Sequence, residues 1–166
     1  MIVTIFRENI FSMEPIVVEF KGYTITTDKS LMIPSDVYQW LSEISYWTKG
    51  VPNDIFMRSF ENSYCIGAII NGRHVGFGRL ITDYATFAYL ADVYVEEPHR
   101  GIGLATKMME LLFNLDWVKN LRGIKLATLD AHVLYRKFGF SEPKFPERLM
   151  EISRPGIYTD NQNSNT

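Results

Sequence analysis

The period of the apolar positions changes twice along the chain, and each change marks a new kind of element. Tyr23–Thr27 is rich in β-branched and aromatic residues and predicts a strand. Pro34, Ser35 and Asp36 supply a helix-start signal ahead of Val37, Trp40, Leu41 and Ile44, which recur on one helical face. Gly50, Val51 and Pro52 break that helix, and Pro52–Asn53–Asp54 opens a shorter one through Phe56 and Phe60.

From Tyr64 the pattern is that of strands. Tyr64–Ile70 and His74–Thr82 flank Asn71–Gly72, a pair suited to a type I′ turn because both central residues there need positive φ. Phe87–Val95 forms a third run after a turn near Asp83, so three successive antiparallel strands are expected. Leu104, Met108, Leu111, Leu112 and Leu115 then restore the helical period over 102–119, and Arg122–Gly123 ends it. Ile124–Leu129 predicts a strand, Ala131–Lys137 a short helix, Gly139–Phe140 a break and Arg148–Ser153 a final strand. The order ββαα-βββ-αβ-αβ defines an α/β domain on a mixed, mainly antiparallel sheet. That domain is expected over 14–158, with 1–13 as an N-terminal extension and 159–166 as a disordered polar tail. Met13 offers an alternative start.

Composition narrows the function. The 166 residues are 46% hydrophobic, which excludes a mostly disordered chain. Seventeen Lys and Arg against nineteen Asp and Glu leave a net charge of −2, without the basic footprint of a nucleic-acid binder. No run approaches the ~20 apolar residues of a membrane helix, so no membrane partner is expected. The apolar start (Ile2, Val3, Ile5, Phe6) is interrupted by Arg7 and Glu8 and has no small-residue cleavage site, so it reads as a strand or loose extension. Cys65, the one cysteine, cannot form an internal disulfide, which suits a reducing cytoplasm; its apolar strand places it in the core. His74, His99 and His132 lack ligand spacing, and no metal site is expected.

The strand 87–95, the helix 102–119 and the strand 124–129 form a right-handed crossover unit with parallel strands. Their carboxyl ends share one edge, where open α/β sheets bind ligands. On that edge lies Pro98-His99-Arg100-Gly101-Ile102-Gly103-Leu104-Ala105. Glycines at a strand-to-helix junction let backbone approach a ligand, and the helix dipole favours a phosphate or pyrophosphate there. A Walker loop needs Gly-Lys-Ser/Thr, but Thr106–Lys107 has the wrong order and spacing. A dinucleotide loop needs a third glycine where Thr106 stands.

Arg100, Gly103 and Ala105 instead match Arg-x-x-Gly-x-Ala, and Ala131, Tyr135, Gly139 and Phe140 match Ala-x3-Tyr-x-x-x-Gly-Phe. With these two motifs on the expected elements, the chain from about Gly22 to Ser153 resembles the GCN5-related N-acetyltransferase (GNAT) superfamily, in a small bacterial-type form. The resemblance implies a sheet whose parallel strands splay to admit acetyl-CoA. It implies Arg100 among the cofactor-binding residues, pyrophosphate on the amides of Gly101, Ile102, Gly103, Leu104 and Ala105, and pantetheine along the backbone of Val93 and Val95. Tyr135 matches the general acid: a phenol near pKa ~10 can protonate a thiolate whose conjugate acid lies near ~8.5. An alkylamine, near ~10.4, arrives charged, and Asp92 on the central strand is the leading candidate to take its proton, ahead of Asp83 and Asp130. Tyr46, Trp47 and Tyr84 are candidate walls of the acceptor pocket, suited to a flat or cationic substrate. Thr128 stands where many members carry asparagine. The implied activity is direct acetyl transfer from acetyl-CoA to a primary amine of a small molecule, a peptide or protein amine also being open. The alternative is a non-catalytic acyl-CoA sensor. Exposed aromatics and a free sheet edge leave room for a homodimer.

Overall fold

The computed structural model describes residues 14–159; the expected extension over 1–13 and most of the expected tail over 159–166 lie outside these. Six strands make one sheet in sequence order: β1 (Val17–Phe20), β2 (Tyr23–Thr26), β3 (Tyr64–Ile70), β4 (Arg73–Thr82), β5 (Phe87–Val95) and β6 (Gly123–Lys125). Neighbours are antiparallel except β5 and β6, which are parallel as the crossover requires. Asn71 and Gly72 join β3 to β4 with φ of 50° and 71°, the positive values that the turn demanded.

Helices cover both faces. On one side α1 (Pro34–Glu43) and α2 (Asn53–Glu61) bury Val37, Trp40, Leu41, Phe56 and Phe60 against Cys65, Phe77 and Tyr94. On the other, α3 (Leu104–Phe113) buries Leu104, Met108, Met109 and Leu112 against Ile66, Leu80, Ala88 and Leu90. These side chains alternate along each strand because the pleat has a period of two.

One irregularity in β5 sets up the site. Phe77 pairs with Tyr94 and Arg79 with Ala91, so Asp92 and Val93 together oppose Gly78 alone. This is a β-bulge, and Asp92 carries it with φ of 55°. The extra residue inverts the alternation. Before it Ala88 and Leu90 face α3; after it Val93 and Val95 do, and Tyr94 turns toward α1.

Three expectations change. The helix over 102–119 divides into α3 and α4 (Asp116–Lys119), with Leu115 extended between them at ψ 132°. Of the strand expected over Ile124–Leu129 only Ile124 and Lys125 are in β6, which begins at Gly123. No strand forms at Arg148–Ser153: a 3-10 turn occupies Pro146–Arg148, and Met150 and Ile152 are 98% and 86% exposed. A segment with both faces open gains nothing from pairing, and the adjoining edge strand is only three residues long. The short helix after β6 forms as α5, His132–Arg136.

Candidate active site

The parallel strands pair only over Phe87–Tyr89 and Gly123–Lys125. Beyond that the two chains part. Leu90–Val95 on one side and Ala127–Ala131 on the other line a cleft of about 1000 Å³. The early end of β6 removes the partner from this side of β5, while the bulge interrupts β5 on its other side, against β4, at the same level.

At the upper end of the cleft stands the loop from β5 to α3. A 3-10 turn at Glu97–His99 is followed by Gly101 at φ 79° and Gly103 at φ 89°. A side chain at either glycine would meet no atom within 4 Å, so the outer face of the loop is open. Gly103 caps α3 without a side-chain bond, leaving the first helical amides (Leu104, Ala105 and Thr106) pointing out of the helix end. Leu104 buries its side chain in the core and Arg100 Nε donates to Val95 O at 2.8 Å, so the loop is anchored from within. The β1–β2 hairpin braces it from outside: Lys21 Nζ donates to Ile102 O at 2.8 Å, and Tyr23 Oη and His99 Nδ1 share a hydrogen bond of 2.9 Å. Neither brace was visible in the sequence, since the partners lie 81 and 76 residues apart.

Along the walls, Val93, Val95, Arg100, Ala105 and Tyr135 line the cleft with Asp92, Tyr46 and Trp47. Gly101, Ile102, Gly103 and Leu104 lie on the loop above it. Tyr84 is elsewhere. It sits in the β4–β5 turn at φ 61°, its ring against Tyr64 and Trp117, at the end of β5 opposite the loop. The expectation placing Tyr84 in the acceptor pocket is therefore corrected: apolar burial against Trp117 takes its ring.

The three carboxylates have separate environments. Asp83 accepts from the Thr86 hydroxyl and from the amides of Thr86, Ala85 and Phe87, and the hydroxyl chiefly, then the amides, hold it well below the usual carboxylate range. It lies outside the cleft lining. Asp92 uses both oxygens: Oδ2 accepts from Arg79 Nε at 2.5 Å and Oδ1 from Trp47 Nε1 at 2.9 Å. Arg79 Nη1 donates onward to Ser63 Oγ at 2.9 Å. Asp130 lines the cleft beside Tyr135, and its negative charge is felt at the phenol. Burial chiefly, then Asp130 and Tyr46, push the Tyr135 hydroxyl up to about 12. The group is thus a protonated donor throughout the physiological range. Arg79 is the residue that sequence reasoning passed over; a cation inside the apolar run His74–Thr82 was the available signal.

Burial also pushes the Cys65 thiol up to about 12 from 9.0, which makes it an inert core group. The sign for stability follows from linkage. Below pH 9 the thiol is neutral in folded and unfolded chains alike; above it the unfolded chain loses the proton first, and stability falls as pH rises toward 12. Between pH 8 and pH 10.5 the loss from Cys65 alone is roughly 2 kcal/mol, measurable by chemical denaturation, and Cys65→Ala is expected to remove that component.

Among the described residues no helix is long and apolar enough to cross a membrane, and no three metal-binding side chains come together.

A mixed sheet whose two parallel strands diverge beside an open glycine loop is the frame of an acyltransferase, and comparison with known proteins agrees. Residues 35–140 match the model of the acetyltransferase (GNAT) family, and the chain belongs to that family. A protein of Gibberella zeae named as a putative acetyltransferase is 30% identical over 135 residues, 69% of this chain and 76% of its own. The crystal structure of a Xanthomonas campestris protein, named as a putative acetyltransferase of the GNAT family, is 40% identical with a TM-score of 0.81. It covers 85% of this chain and 99% of that one. Streptothricin acetyltransferase of Escherichia coli is 33% identical over 87 residues, half of each chain. The protein is an acyltransferase; members of this family use acetyl-CoA and act on an acceptor substrate.

Proposed function

We propose that this chain is an acetyl-CoA-dependent N-acetyltransferase acting directly on a primary amine of a small molecule. The observation that carries the reading is the separation of β5 from β6 beside a loop with two left-handed glycines and free helix-end amides. These residues fit the cofactor: the open face over Gly101 and Gly103 suits a diphosphate, and the gap beside Val93 and Val95 suits an extended pantetheine arm. Acetyl-CoA, when bound, supplies an activated acyl carbon on a thiol leaving group.

The chain's own groups do the rest. Asp130, lining the cleft without a salt-bridge partner among the described residues, takes a proton from the incoming ammonium and leaves the amine nucleophilic. Tyr135 donates its hydroxyl proton to sulfur as the C–N bond forms and the C–S bond breaks, and the second proton shed by the acylated nitrogen restores the phenol. Taking up the proton would neutralise Asp92 within its ion pair to Arg79, so the arrangement favours Asp130 for that step.

Gly103→Asp tests the loop. It places a Cβ and an anion at φ 89° over the diphosphate site, and acetyl-CoA affinity by calorimetry is expected to fall at least tenfold while the melting profile shows a folded protein. Unchanged affinity would defeat the assignment. Cofactor binding with no thiol release from any amine would mark a binding module instead.

A further inference from the structure

We propose that the acceptor end of the cleft takes a primary amine carried on a flat, apolar body, with Trp47 held as its wall by Asp92 and Arg79. This rests on the acetyltransferase reading above and adds the class of acceptor to it.

Four ionisable side chains of fixed sign line the cleft: Arg79, Asp92, Arg100 and Asp130. Arg79 and Asp92 cancel one another in a direct ion pair. Arg100 belongs to the loop end, where its guanidinium is bonded to Val95 O. That leaves Asp130 as the uncompensated charge at the acceptor end. One carboxylate matches one ammonium. At that end a phosphorylated or carboxylated acceptor would find no spare cation, since Arg100 stands at the loop end, and a polyamine would find too few anions, so both would lose hydration without a counter-charge.

The walls point the same way. Tyr46 and Trp47 are 63% and 39% exposed and meet edge to face at 4.8 Å, and Ile44 and Leu129 are exposed beside the same opening. Large apolar groups left open together in a cleft mark a surface meant to be covered. Trp47 has its indole N–H already satisfied by Asp92, so it asks no hydrogen bond of a ligand and offers ring surface. Its place is set from below. Ser63, Arg79, Asp92 and Trp47 form a continuous chain of polar contacts from the start of β3, through the bulge, to the segment between α1 and α2. Asp92 is on this account a positioning residue, and its left-handed backbone is what turns its carboxylate toward Trp47.

The test measures thiol release at saturating acetyl-CoA with three probe amines: phenethylamine, glucosamine 6-phosphate and spermidine. The expected result is a kcat/KM for phenethylamine at least tenfold above either of the others. Trp47→Ala should raise the KM for phenethylamine at least tenfold and leave acetyl-CoA affinity, measured separately by calorimetry, within twofold. Trp47→Phe, which keeps a ring but loses the N–H, should show a smaller rise in the same direction. In Asp92→Asn the KM should rise while the acid limb of the pH profile of kcat/KM stays in place; loss of that limb would make Asp92 the base and overturn its positioning role. Best turnover of glucosamine 6-phosphate or spermidine, or an unchanged KM in Trp47→Ala, overturns the acceptor class. So does the absence of turnover with any probe in a protein that binds acetyl-CoA. In each of those cases cofactor binding still stands; failure of acetyl-CoA to bind the wild-type protein sinks the underlying reading and this proposal with it.

Discussion

Tyr135→Phe is expected to lower kcat by about 10²–10⁴-fold, the range of a lost general acid, with acetyl-CoA affinity changed less than twofold. The substitution keeps the ring, and with it the edge contact to Phe140 at 5.9 Å and the burial in the α3-side core. What it removes is a proton held on a phenol whose pKa is pushed up to about 12. Because that group stays protonated until well above pH 10, the wild-type profile should show no alkaline limb from Tyr135 up to that point. Any limb near pH 8–9 in the wild type should therefore persist unchanged in the variant. Thiol release in a stopped assay reads the rate, and calorimetry reads the affinity. A kcat within a factor of two of wild type would remove Tyr135 from the chemistry.

Gly67→Ala is expected to destabilise the fold by about 3 kcal/mol, at the upper end of what overpacking costs. A Cβ at this position would stand 2.2 Å from His74 Cε1 and 3.0 Å from Nδ1. Usually a ring end can swing away; this one cannot. His74 is fully buried, its Nδ1 lies 3.2 Å from Gly76 O, and its ring meets the edge of Phe77. Burial holds its pKa below the ordinary histidine value, so the ring is neutral at physiological pH. Chemical denaturation gives the magnitude. The paired variant with His74→Ala should recover part of the loss, because the methyl group then enters the space the imidazole leaves, and the two substitutions should be strongly non-additive. Simple additivity would show that strain comes from elsewhere.

Much of the frame was legible from local pattern alone. The Asn71–Gly72 turn, the three antiparallel strands after Tyr64 and the parallel crossover all follow from period and turn chemistry, and the structure has each of them. The glycine loop was legible for the same reason: Gly101 and Gly103 are needed where φ is positive, and that need shows in the residue type. Elements at the margin were not. Nothing in the apolar residues of Arg148–Ser153 says that no partner strand will be there, and the period of Leu104–Leu115 does not reveal the extended Leu115 that separates α3 from α4. Within the site, Asp92 and Trp47 could be named but their relation could not. It depends on the bulge, which brings residues 45 positions apart within 2.9 Å, and on Arg79, which looked like an ordinary strand cation. Tyr84 misled because an aromatic near the central strand says nothing about which end of that strand it occupies.

The inverted alternation in β5 has a consequence for how this strand can vary. Both halves present side chains to the α3 layer, Ala88 and Leu90 before the bulge and Val93 and Val95 after it, although the numbering parity changes at position 92. Exchange of that amino acid would cost a contact. Were residue 92 to take an ordinary place in the ladder, Tyr94 would turn toward α3 and Val95 toward α1, emptying one layer and crowding the other. Deleting it would instead straighten the strand with Val93 opposite Gly78 and both layers kept, so what a shorter strand loses is the carboxylate that holds Trp47.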